Sequence, residues 1–85
     1  MAELNITAYL NPTCPWTRGV VQVLDHHGLE YAYRNIIGDP EAYREMVEKT
    51  GQHASPCVEI SGHMLVDVGG DEVEAYLKKR AQKQL

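Results

Sequence analysis

With 85 residues, 44% of them apolar and 24% charged, the chain is sized and composed for one folded domain over residues 1–85 rather than for disorder. No apolar run approaches the ~20 residues of a membrane span, and Glu3 and Asn5 interrupt the N-terminus where a signal peptide needs an apolar stretch, so a cytoplasmic protein without a membrane partner is expected. The net charge of −4 is uneven, because Lys78, Lys79, Arg80 and Lys83 hold half of the eight basic residues; such a cluster suits the end of a last helix better than a nucleic-acid face.

Asn5 to Leu10 alternates, with Ile6, Ala8 and Leu10 on one face, and predicts a strand that Asn11-Pro12 breaks. From Pro15 to His27, Trp16, Val20, Val23 and Leu24 recur at helical spacing, with Thr13 as the expected cap and Gly28 as the stop. Tyr31 to Ile37 is rich in aromatic and branched residues and predicts a second strand. Asp39-Pro40 then reads as a cap and first-turn proline, with Tyr43, Met46 and Val47 as the buried stripe of a helix that ends at Gly51. Cys57–Ile60 and Met64–Val68 flank Ser61-Gly62-His63, a hairpin composition. A last helix opens at Gly70-Asp71, where Asp71 and Glu74 have capping-box spacing and Val73, Tyr76 and Leu77 form the apolar face. The order β-α-β-α-β-β-α implies an α/β fold: a parallel pair from the first β-α-β unit, an antiparallel hairpin, and a four-stranded mixed sheet with three helices on its faces.

Cys14 falls where the first strand gives way to the first helix. A thiolate at a helix N-terminus is favoured by unpaired N–H groups and the positive end of the dipole, and no acidic residue occupies the first two turns. Arg18, one turn on, either adds positive charge or reaches solvent. Two cysteines are too few for a disulfide scaffold. Alternation sets Cys57 and Glu59 opposite Val58 and Ile60, which reads as a structural thiol and not as a partner for Cys14. His26 and His27 point to different sides of a helix, His63 falls in the hairpin turn, and His53 alone belongs near the Cys14 site, so no metal site is expected.

Thr13-Cys14-Pro15-Trp16-Thr17 resembles the Cys-Pro-aromatic-Cys stretch of glutaredoxins, with threonine in the fourth place. Gly51-Gln52-His53-Ala54-Ser55-Pro56 is similar to the family segment that leads to a cis-proline, and Val68-Gly69-Gly70-Asp71 resembles its Gly-Gly-x-Asp turn. The resemblance runs from about Ile6 to Leu77 and implies the thioredoxin-like (glutaredoxin) fold and monothiol glutathione-dependent thiol-disulfide exchange. It makes Cys14 the nucleophile and Thr17 a hydrogen-bond donor to its thiolate. For glutathione, the cosubstrate, it implies Trp16, Gln52, Ser55, Pro56, Gly70 and Asp71 as the binding set. Thr17 removes the usual second cysteine, and Asn11 stands where the family commonly has lysine. Partners implied are glutathione and glutathionylated or disulfide-bearing proteins, acting on a monomer. Two alternatives stay open: a glutathione-assisted [2Fe-2S] cluster carrier, in which two Cys14 thiols supply half of four sulfur ligands, and a protein disulfide reductase partner that does not use glutathione.

Overall fold

The computed structural model describes residues 5–53 and 55–83, with side chains as far as Arg80. Glu3, Ala54 and the Lys83 side chain, all used in the sequence reading, lie outside the described residues. The elements are β1 (Ile6–Leu10), α1 (Pro15–His26), β2 (Ala32–Asn35), α2 (Pro40–Thr50), β3 (Cys57–Ile60), β4 (His63–Leu65) and α3 (Gly70–Lys83). The sheet order is β2-β1-β3-β4. β2 runs parallel to β1, whereas β3 is antiparallel to both β1 and β4. In register, Ala8 stands between Tyr33 of β2 and Val58 of β3.

β1 is central and buried on both faces, more than its alternation anticipates, because Tyr9 is buried opposite Ile6, Ala8 and Leu10. Ile6, Ala8 and Leu10 join Val58 and Ile60 against Val20 and Leu24 of α1 and Val73 and Leu77 of α3. On the opposite face Tyr9 and Cys57 meet Ile36 and the α2 residues Ala42 and Met46. Each large aliphatic side chain so buried contributes about 1.5–3 kcal/mol relative to exposure. α1 and α3 therefore cover one face of the sheet and α2 the other.

Several boundaries differ from expectation for local reasons. β2 stops at Asn35 because its side-chain oxygen accepts the N–H groups of Ile37 and Gly38, both at 2.9 Å, and turns the chain. The hairpin uses two residues, Ser61 (φ 48°) and Gly62 (φ 87°), which suits the twist of the flanking strands. His63 consequently opens β4 instead of lying in the turn, and its ring stacks on Tyr76 at 5.0 Å. β4 ends at Leu65, short of Val68, because Asp67 turns left-handed (φ 56°) and the Val68 N–H goes to the Pro56 carbonyl at 3.0 Å. The α2 cap holds as read, with the Asp39 carboxylate accepting the Glu41 N–H at 3.1 Å.

Tyr43, expected in the buried stripe of α2, lies outside the core, as does Trp16, which shares the helical spacing of α1. Trp16 is 63% exposed and Tyr43 36%, because Val20 with Leu24, and Ala42 with Met46, are the pairs that face the sheet. The α3 cap is also shifted by two residues from the expected frame. Glu72, not Glu74, reaches back, accepting the Gly69 N–H at 2.9 Å.

Candidate active site

The loop before α1 is built by Asn11. Its side-chain oxygen accepts the Thr13 N–H and hydroxyl, at 2.9 and 2.7 Å. Its carbonyl accepts the Cys14 N–H at 3.0 Å and the Thr17 hydroxyl at 2.7 Å. The residue at the expected lysine position thus shapes the turn and brings no charge. Cys14, not Thr13, is the N-cap of α1: it has extended backbone angles (φ −89°, ψ 128°) and its side chain makes no capping bond. Pro15 occupies the first turn, which contains no acidic residue. The partly exposed Cys14 thiol therefore stands at the positive end of a twelve-residue helix dipole with no carboxylate beside it in the chain.

Thr17 differs from expectation. It is only 5% exposed, and its hydroxyl proton is given to Asn11, so the predicted donation to the Cys14 thiolate is replaced by a bond that fixes the loop.

The Ser55–Pro56 peptide is cis, and Pro56 is buried. Trp16, Pro56, Asp67 and Glu72 line a notch of about 230 Å³ with Val68 and Gly69. The indole lies directly against Gly69: a Cβ there would come within 2.6 Å of the ring. At the next residue, a Cβ on Gly70 would stand 2.6 Å from the Gly19 carbonyl oxygen of α1. The two glycines thus serve packing of α3 and Trp16, a demand beyond that of a plain helix entry. A groove of about 660 Å³ runs between α1 and α3, with Pro15, Trp16, Gly19, Gly70, Asp71 and Glu74 along it. A third cavity, of about 620 Å³, is lined by Cys14, Thr17, Arg18, Gln22 and Tyr33 among others.

Among the residues expected to bind glutathione, the structure gathers Trp16 and Pro56 in the notch, and Trp16, Gly70 and Asp71 in the groove. Gln52 and Ser55 line none of these three cavities. Gln52 is exposed, with its N–H bonded to the Thr50 hydroxyl at 3.0 Å. His53 is drawn to α2, where its ring pairs with the Tyr43 hydroxyl. Gly19, Tyr33, Asp67 and Glu72 went unread in the sequence. Only Gly19 carried a signal, since a glycine inside a helix costs about 0.5–1 kcal/mol against alanine and points to a close approach.

Cys57 belongs to the cluster beneath α2, across the sheet from the face that α1 covers. Burial pushes its thiol up from the ordinary value, against a lowering by a backbone hydrogen bond at Asp67. Neither cysteine is in a disulfide.

A β-α-β-α-β-β-α chain with a mixed sheet, a cis-proline and a cysteine capping the first helix has a thioredoxin-like fold. The fold matches the thioredoxin-like protein BC3987 (a T8A mutant), with a TM-score of 0.77 and 22% identity over 86% of this chain and 99% of that one. It also matches glutaredoxin grx-1 of Archaeoglobus fulgidus, with a TM-score of 0.71 and 14% identity over 84% and 83% of the two chains. The family model described as Glutaredoxin matches residues 6–65, and the chain belongs to the glutaredoxin family. A relative in Clostridium pasteurianum, an uncharacterized glutaredoxin-like 8.6 kDa protein in the rubredoxin operon, is 26% identical over 74 residues, covering 87% of this chain and 99% of that one. Family and fold support a thiol oxidoreductase-like role.

Proposed function

We propose that the protein is a monothiol, glutathione-dependent thiol-disulfide oxidoreductase. In the first step the Cys14 thiolate attacks the glutathionyl sulfur of a protein–glutathione mixed disulfide. A Cys14–glutathione bond forms, the original S–S bond breaks, and the substrate thiolate leaves and takes up a proton. In the second step the thiolate of another glutathione attacks the glutathionyl sulfur on Cys14, releasing oxidised glutathione and restoring the Cys14 thiolate. The observation that carries the reading is Cys14 at the uncapped, acid-free start of α1, partly exposed and lining an open cavity.

The exchange is monothiol because nothing near Cys14 can resolve the adduct. Thr17 fills the fourth place of the motif with a hydroxyl committed to Asn11. Cys57 is fully buried under α2. The substrate peptide is assigned to the notch that Pro56, at the cis peptide, shares with Trp16. A second reading, reduction of protein disulfides without glutathione, is favoured by the carboxylates of Asp67 and Glu72 in the notch, which repel an anionic tripeptide. Turnover of a glutathionylated peptide by the wild type and by Cys14→Ser decides between them. Glutathione-dependent release that is lost in Cys14→Ser supports the proposal. Reduction of protein disulfides with no turnover of the glutathionylated peptide supports the second reading.

A further inference from the structure

Neither step of the exchange uses Arg18, which lies four residues past Cys14 in α1. The two residues line one cavity of about 620 Å³, together with Pro12, Val21, Gln22 and Tyr33. Arg18 is the one charged residue lining it among the described residues. Its side chain is exposed and has no ion-pair partner among the described residues. Tyr33, on β2, walls the same space and is 45% exposed. Arginine and tyrosine are the residue types enriched where proteins dock, and they carry much of the binding energy there. A nucleophilic thiol, an unpaired guanidinium and an open tyrosine in one cavity describe a surface for polypeptide.

A glutathionylated protein brings two groups to Cys14, one on each sulfur. The peptide assigned to the notch is the glutathionyl one, and the notch shares no lining residue with this cavity. None of the residues expected to hold glutathione, Trp16, Gln52, Ser55, Pro56, Gly70 and Asp71, lines it either. The protein on the other sulfur is the group that still needs a surface. A guanidinium presents paired N–H donors in the fork that a carboxylate matches. Four residues of helix rise about 6 Å, and an extended chain advances roughly 3.3–3.6 Å per residue. A carboxylate that meets Arg18 therefore stands about two residues from the cysteine that faces Cys14.

We propose that the Arg18–Tyr33 cavity docks the protein half of the mixed disulfide, and that Arg18 selects substrates with an aspartate or glutamate about two residues from the glutathionylated cysteine. The inference rests on the reading of Cys14 as a glutathione-exchanging thiol. Glutathione is common to every such substrate, so the choice among them falls to the protein sequence around the modified cysteine.

Two measurements test the selection. The first follows single-turnover release of two glutathionylated peptides that differ only in carrying glutamate or lysine two residues to either side of the cysteine. The glutamate-to-lysine rate ratio is expected to fall about two- to fivefold in Arg18→Gln, the worth of one exposed charge pair, and further in Arg18→Glu. Comparing ratios cancels the peptides' own reactivity and any effect of Arg18 on the Cys14 thiol. A ratio that is the same in all three proteins overturns the proposal. The second titrates the glutathionylated glutamate peptide into Cys14→Ser and follows backbone amide shifts, which need no turnover. Saturable shifts at Arg18, Val21 and Tyr33 that S-methylglutathione does not reproduce support the docking surface. The same shifts from S-methylglutathione would place the tripeptide in the cavity, and that result, or no saturable shifts there, overturns the proposal. If the wild type releases neither peptide, the exchange function fails, while the titration still judges the docking surface on its own.

Discussion

Gly19 and Gly70 face each other across the α1–α3 contact, yet alanine should act in opposite directions at the two positions. A Cβ on Gly70 would stand 2.6 Å from the Gly19 carbonyl oxygen and 2.8 Å from its carbonyl carbon. Both are backbone atoms inside α1, so relief requires the helices to part. Ordinary contact begins near 3.4 Å, and the separation needed is roughly 0.8 Å. That movement loosens Val73 and Leu77 against Val20 and Leu24, the packing that covers one face of the sheet. Overpacking of this kind costs about 1–3 kcal/mol. For a domain of this size each kcal/mol moves the midpoint by about 4–8 °C, so Gly70→Ala should lower Tm by roughly 5–20 °C. A Cβ on Gly19 instead meets the Gly70 nitrogen at 3.5 Å, an ordinary contact. Gly19→Ala should therefore gain the helix propensity of alanine, about 0.5–1 kcal/mol, and raise Tm by roughly 2–8 °C. Thermal melts and urea titrations followed by far-ultraviolet circular dichroism measure both. A Gly70→Ala protein that melts with the wild type, or two variants that shift the same way, would refute the reasoning.

The two thiols should separate cleanly in labelling: iodoacetamide modifies Cys14 in the folded protein and reaches Cys57 only on unfolding, because Cys57 is fully buried and burial pushes its thiol up. After oxidised glutathione, intact mass should show one added glutathione, and a loss of two hydrogens without it would mean that Cys57 resolves Cys14. Tyr9→Phe removes the hydroxyl that hydrogen-bonds Glu45, at a cost of about 1 kcal/mol in urea unfolding at neutral pH. That bond, ahead of the Arg34 and Lys49 charges, holds the Glu45 carboxyl below its ordinary 4.5. Its stabilisation is accordingly full above about pH 4.5 and fades as pH falls through the lower folded value, so the wild-type and variant stability curves should converge in acid. Parallel curves down to the lowest pH would contradict this.

Local chemistry was legible in the chain. The alternation of Ile6, Ala8 and Leu10, the Asp39 cap with its proline and the Gly51 stop each depend on neighbours in sequence, and each stands as read. Helical spacing showed that α1 and α2 have apolar sides, but periodicity alone did not tell which edge of the stripe meets the sheet. Trp16 and Tyr43 fit the spacing and remain outside, since the neighbouring turns fill the interface. At the site, the motif order located Cys14, Pro56 and the Gly69-Gly70 pair. The charge around them was not legible, because Asp67 and Glu72 come to Trp16 only through the β4–α3 connection, more than fifty residues along the chain. The partner of the Thr17 hydroxyl is not legible for a different reason: it is a carbonyl only six residues away, and carbonyls carry no signature in a sequence.

The position of β1 has a consequence for how the protein is made. It is the first strand among the described residues and an interior strand of the sheet, with Cys57–Ile60 as its antiparallel neighbour and Val73 and Leu77 covering Ile6, Ala8 and Leu10. During synthesis Ile6–Leu10 emerges before the other described strands, and β2 is the next of them to join it. Its other edge stays open until β3 has emerged, and much of its apolar face until α3 has. A nascent or truncated chain ending before Gly70 therefore displays a paired but half-covered strand, the kind of surface that recruits chaperones or like strands. α3 supplies the closing layer over that face.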